Sequence, residues 1–212
     1  SLFFIEDLFK LKIEHDLFWQ YALPLGISFF TFQQISYQVD LYNKQTNPKG
    51  FLNYLFYVSF FPQLIAGPIV KHNYFFKQVT NNKFLKINYE NFKIGISIFS
   101  IGIIKKVFFA DMISNYVDQT YNDCLNINCS QSDYIISTYL YSFQIYFDFS
   151  AYSDMALGLA KIFGIKLPFN FNSPYKSSSL ISFWRNWHIT LSSFLKNYLY
   201  IPLGGSKTPI LR

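Results

Sequence analysis

The stretch YIISTYLYSFQIYFDFSAYSDMALGLAKIFGI, residues 134–165, decides what kind of fold this chain adopts. It is a long apolar run, and as one helix at ~1.5 Å per residue it exceeds a hydrocarbon layer of ~30 Å. A segment of that length tilts, breaks or protrudes when it crosses a bilayer. Asp148 and Asp154 fall near its middle. A carboxylate inside a membrane is costly, so such residues default to a functional or cavity-facing role. Spacing pairs Asp148 with Tyr152 and Ser150 with Asp154, each at i, i+4. The alternative use of these acids is to lock helices together through hydrogen bonds to tyrosine.

Composition supports a membrane setting. Of 212 residues, 51% are hydrophobic, 22% aromatic and 14% charged, against roughly 25% charged in soluble domains. The mean hydropathy of +0.15 is modest, but the 17 tyrosines lower it, and tyrosine is at home at membrane interfaces. The expected fold class is therefore all-α, a polytopic integral membrane protein with the lipid bilayer as its partner. A dense soluble helical domain is the alternative. No nucleic-acid partner is expected. The chain starts at Ser1 without a charged leader, and it reads as an internal piece of a longer protein: one membrane-embedded domain over residues 1–212, incomplete at both ends.

Other segments fit that frame. Residues 1–16 mix charges with apolar residues at helical spacing, as an interfacial helix does, with His15 solvated. A spanning helix is expected from about Pro24 to Tyr42. The uncharged run 51–70 is a second, kinked at Pro62 and ended at Gly67–Pro68. Residues 71–93 carry five lysines and one acid, whereas residues 111–133 carry four aspartates and no basic residue. The positive-inside rule then puts 71–93 in the cytoplasm and the aspartate loop, 112–133, outside. Lys105 and Lys106, within the apolar run between them, are expected to face a protein cavity rather than lipid. For Cys124 and Cys129 in the aspartate loop, a disulfide and two thiols stay equally open. No phosphate loop and no zinc-type histidine spacing is present, so no metal site is expected.

The densest chemistry lies in FWRNWHITLSSFLKNYLYIPLGG, residues 183–205. Read as a helix capped by Ser179 or Ser182, it places Trp184, His188 and Ser192 on one face, with Arg185 on the adjoining edge. Pro202 and Gly204–Gly205 end it in a tight turn.

Six segments together resemble one family: PLGISFFTFQ (24–33), QLIAGPI (63–69), IIKKVFFAD (103–111), FDFSAYSDMALG (147–158), LPFNFNSPY (167–175) and the 183–205 stretch. They are similar, in order, to the membrane-bound O-acyltransferases, above all to the branch that O-acetylates alginate, peptidoglycan and other envelope polysaccharides. The resemblance implies helices around a central funnel in a multi-pass protein of the inner (plasma) membrane. It implies acetyl-CoA as a cytoplasmic donor, an extracytoplasmic acetyltransferase partner and a polysaccharide acceptor outside. His188 matches the family's Trp-His motif as the catalytic residue. A second functional histidine is implied beyond Arg212, so this piece alone is not expected to be a complete enzyme.

The residues permit that chemistry. An imidazole serves acyl transfer to a hydroxyl as base or as acyl carrier. Trp184 and Trp187 can exclude water, and the planar fork of Arg185 suits donor phosphates. Asp148, Tyr152, Asp154 and Ser192 complete the expected substrate-binding set. Two other functions compete: a transporter or flippase for lipid-linked sugars, which broken helices and intramembrane aspartates would suit, and a non-catalytic assembly platform. An inverted repeat would favour the transporter, and none is visible.

Overall fold

The computed structural model describes residues 26–48, 50–65, 67–80, 88–125 and 130–207. In chain order the helices are α1 (Ile27–Tyr42), α2 (Phe51–Ser59), α3 (His72–Val79), α4 (Tyr89–Ile104), α5 (Met112–Leu125), α6 (Gln131–Ile162), α7 (Leu180–Asn186) and α8 (Ile189–Leu195). A π-helical segment, Lys105–Asp111, joins α4 to α5 without a break, and a second, Lys196–Tyr200, extends α8. The described residues are all-helical, as expected. The expected interfacial helix over 1–16 and the start near Pro24 lie outside the described residues, as does Cys129.

The decisive stretch is one unbroken helix. α6 has 32 residues, opened by a capping box between Ser130 and Asp133. At ~1.5 Å per residue it is ~48 Å long, so of the three outcomes for an overlong segment it does not break. Its contacts with 89–125 run in opposite directions: Gly95 meets Gly158, Gly102 meets Ala151, Phe109 stacks on Phe147 and Tyr121 packs against Tyr141. The two rods therefore form an antiparallel hairpin.

Small residues make this hairpin close. A Cβ at Gly158 would lie 2.6 Å from the carbonyl oxygen of Gly95, and one at Gly102 would lie 2.9 Å from that of Ala151. Backbones in such contact gain dispersion over a long interface, the device by which helices associate when no hydrophobic drive separates protein from lipid. At the other end of α6, Ala156, Leu157 and Ala160 join Ile165 and Leu167 in a core with Tyr57, Phe60, Phe75 and Phe76. His72 is part of that aromatic core, its ring 4.4 Å from Tyr37 and 4.5 Å from Phe76.

Three expectations need correction. Among the described residues, no helix is both long enough and apolar enough to cross a membrane. α6 has the length, but its tyrosines, serines and aspartates lower its apolar average; α2 is apolar but has 9 residues. The run 51–70 does not continue through Pro62 as a kinked helix, because α2 ends at Ser59 and Phe60 is extended, with Pro62 opening a separate single turn. The aspartate loop is mostly helix, α5, since only residues 126–130 separate its end from α6. Cys124, at the end of α5, is disulfide-bonded.

The close approach predicts a stability difference. Gly158→Ala should cost the purified full-length protein about 1–3 kcal/mol, because its methyl group meets backbone that cannot swing away. Gly50→Ala, with nothing within 4 Å, is the control. Thermal unfolding in detergent reads both, and equal midpoints would contradict the packing account.

Candidate active site

The stretch 183–205 is not one helix. α7 ends at Asn186, Trp187 is extended (φ −101°, ψ 127°), and His188 takes a left-handed conformation at φ 44°, ψ 54° before α8 begins. The cause is competition for backbone hydrogen bonds. The Ile189 N–H donates to the Asn170 carbonyl (2.9 Å) and the Asn172 N–H donates to the Asn186 carbonyl (3.0 Å), groups a continuous helix would pair internally. The loop around 170–172 thus cuts the helix at the histidine. Ser179 caps α7 as expected, in a capping box with Ser182, and Gly204 and Gly205 take the positive φ of the terminal turn.

The shared face of Trp184, His188 and Ser192 is therefore overturned, because i, i+4 spacing has no meaning across the break. Trp184 is 60% exposed and packs edge-on to Phe183. Ser192 is exposed and meets His188 through the backbone, its N–H donating to the His188 carbonyl (3.0 Å). Arg185 is exposed on α7. Trp187 packs among Phe171, Phe183, Tyr146 and Tyr175.

The imidazole has other neighbours. Phe149 of α6 meets its ring edge to face at 4.7 Å, and Phe29 of α1 stacks at 6.3 Å. Nε2 is buried and has no hydrogen-bond partner among the described residues. A buried polar atom left unpaired costs ~1–3 kcal/mol, and a non-glycine residue held left-handed costs of order 1–3 kcal/mol. Two unfavourable features thus coincide on one titratable residue.

Asn170 fixes this arrangement. It is 1% exposed; its Oδ1 accepts from Thr190 Oγ1 (2.6 Å) and its Nδ2 donates to Ser153 Oγ on α6 (3.0 Å). Thr190 Oγ1 in turn accepts from the Ile69 N–H (3.1 Å). Thr190 and Asn170 each line a cavity. One, of about 250 Å³, is mainly apolar and lined by Ile189, Thr190, Phe194, Lys71 and Tyr198 among others. The second, of about 170 Å³, is lined by Ser150, Ser153, Asp154, Asn170, Asn172 and Lys105 among others. The Thr190–Asn170 hydrogen bond joins a wall residue of the first to one of the second.

The aspartates reach across the hairpin rather than along their own helix. Lys105 Nζ lies 2.6 Å from Asp154, and Lys106 Nζ lies 2.6 Å from Asp148 and 2.9 Å from Asp111. Successive α-helical residues point about 100° apart; the π-helical segment at 105–111 turns both lysines onto α6. The lysines thus face protein, as expected, while the expected Asp148–Tyr152 and Ser150–Asp154 pairs give way to these bridges. Tyr152 lies under Lys106, 5.7 Å from Nζ to the ring centre. Asp154, with Lys105 and Ser150, lines the second cavity together with Asn170. A buried acid outside the expected set is Asp40 of α1, 4% exposed, accepting from the Tyr198 hydroxyl (2.9 Å).

The sequence pattern of the membrane-bound O-acyltransferase family matches residues 19–212, which include every one of these groups. The chain belongs to that family. Among curated proteins it is similar to a peptidoglycan O-acetyltransferase of Helicobacter pylori, at 46% identity over 210 residues, covering 87% of this chain and 40% of that protein. It is 40% identical over 187 residues to the probable alginate O-acetylase AlgI of Pseudomonas aeruginosa, covering 87% of this chain and 35% of the relative. A teichoic acid D-alanyltransferase of Bacillus subtilis is 30% identical over 188 residues, covering 84% and 45%. The chain thus spans about two fifths of the length of the relatives it matches. Membership of this family implies a membrane protein; Ile101, Ile103 and Phe108 on one rod and Ile135 and Ile136 on the other are exposed apolar residues.

Phe29, Phe149, Asn170 and Thr190 were not singled out from sequence, although each stands inside a quoted motif. The left-handed backbone at His188 yields a direct test. Glycine normally destabilises relative to alanine, but at φ 44° it carries no Cβ penalty. His188→Gly should therefore be more stable than His188→Ala by about 1 kcal/mol in thermal unfolding of the full-length protein. Alanine equal to or better than glycine would contradict the strained geometry.

Proposed function

We propose that the full-length protein is a multi-pass O-acyltransferase of the inner membrane. It moves an acetyl group from cytoplasmic acetyl-CoA across the membrane for O-acetylation of an envelope or exported polysaccharide, with an extracytoplasmic acetyltransferase partner completing delivery. The observation that carries the reading is His188: a buried Nε2 without a partner among the described residues, on a residue held left-handed, whose neighbour Ile189 lines the apolar cavity. The names of the relatives, acting on peptidoglycan and alginate, support the class of acceptor.

In the proposed step Nε2 of His188 accepts the proton of an attacking hydroxyl. The hydroxyl oxygen bonds to the thioester carbonyl carbon, the carbon–sulfur bond breaks, and the imidazolium returns the proton to the departing thiolate. Phe29 and Phe149, which pack on the imidazole, take the shielding role expected of Trp184 and Trp187, keeping water from the thioester. The apolar cavity suits the acyl end of the donor. The cavity of hydroxyls, amides and Asp154 suits a hydroxylated acceptor. Arg185, exposed at the surface, is the candidate for the donor's phosphates.

The experiment is acetyl content of the polymer, measured beside the amount of folded full-length protein. His188→Ala should abolish acetylation with insertion intact, since a positioned base contributes about 10²–10⁴-fold. His188→Gln, which can hydrogen-bond but cannot accept the proton, should fail almost as badly. Near-normal acetylation in the Gln variant would overturn the reading.

A further inference from the structure

We infer that Asn170 is the positioning residue of this site: it sets the backbone of His188 and thereby the direction of Nε2. The inference rests on the proposed role of His188 but concerns a different residue and a different contact. His188 has no side-chain cap and no ring hydrogen bond at Nε2 to orient it. What holds the residue is its successor pair. Ile189 N–H is tied to the Asn170 carbonyl (2.9 Å) and Thr190 Oγ1 to the Asn170 Oδ1 (2.6 Å). Three atoms of one buried side chain and its backbone therefore grip both residues that follow the histidine and, through Ser153 (3.0 Å), anchor them to α6.

α6 is also the helix that supplies Phe149, the closer of the two rings packed on the imidazole. Asn170 thus couples the backbone of His188 to the same helix that packs its ring, so ring and backbone move as a unit. No other amide in the loop has this reach: Asn172 uses its backbone N–H on Asn186, before the break rather than after it. An aspartate at 170 would keep the acceptor for Thr190 but introduce a buried charge beside Asp154. Alanine would keep the backbone contact while releasing Thr190 and Ser153.

The test uses full-length protein in detergent, with acetyl-CoA as donor and initial transfer rates as readout. Asn170→Ala and Thr190→Val should each lower kcat roughly 10- to 100-fold, the scale of an ångström-sized misplacement, with KM for acetyl-CoA within about twofold. The double variant should be slowed by clearly less than the product of the single effects, because both remove the Thr190–Asn170 bond, although each also removes one further bond, to Ser153 or from the Ile69 N–H. Multiplying effects would overturn the proposal in favour of separate structural injuries. If Asn170→Ala yields no folded protein, Ser153→Ala takes its place, and a wild-type rate there overturns the proposal.

A second readout does not depend on transfer. Carbethoxylation of His188 by diethylpyrocarbonate, followed by mass spectrometry, should change several-fold in Asn170→Ala or Ser153→Ala, while that of fully buried His72 stays constant. Unchanged modification of His188, or a parallel change at His72, would overturn positioning. Should His188→Gln retain its transfer rate, the catalytic reading fails, and the modification rate still decides the role of Asn170.

Discussion

The antiparallel contact between 89–125 and α6 is the constraint on which the site depends. Glycines at 95, 102 and 158 bring the two backbones within the reach of a single Cβ, and the π-helical turn then aims Lys105 and Lys106 at Asp154 and Asp148. With α6 fixed in rotation, Ser153 faces the loop and Phe149 faces His188. Asn170 hangs from Ser153, and α8 hangs from Asn170. A helix half a turn out of register would lose both the ion pairs and the contacts that hold His188.

The ion pairs have a modest claim on stability for a physical reason. Their side chains are about a quarter to a half exposed, and paired charges withdrawn from water recover little beyond their desolvation cost. Their contribution is specificity of rotation, since a carboxylate or lysine facing lipid without its partner is penalised more heavily than a pair is rewarded. That places Asp148 and Tyr152 among the groups that hold the hairpin, and leaves Asp154 with both a structural bond and a cavity wall.

Much of the architecture was legible in sequence. The apolar run 134–165 announced α6, Ser179 announced the cap of α7, and six ordered motifs pointed to the family that the chain proves to share. The pairing of Lys105 and Lys106 with protein rather than lipid followed from the cost of a bare charge. What was not legible is the break at His188. The run FWRNWHITLSSF carries no proline or glycine at the break, and local propensity favours an unbroken helix. The break comes from backbone groups on a separate loop, the carbonyl of Asn170 and the N–H of Asn172, that outcompete the intrahelical bonds. For the same reason Phe29 and Phe149, distant in sequence, displaced Trp184 and Ser192 as the neighbours of the imidazole.

The most direct test of the central claim is a structure of the full-length protein with a non-hydrolysable acetyl-CoA analogue and a hydroxylated acceptor. The account predicts His188 Nε2 within about 2.6–3.2 Å of the acceptor oxygen, itself about 3–3.5 Å from the acyl carbon. An analogue whose acyl carbon lies beyond reach of His188, with Nε2 still enclosed by Phe29 and Phe149 alone, would contradict it.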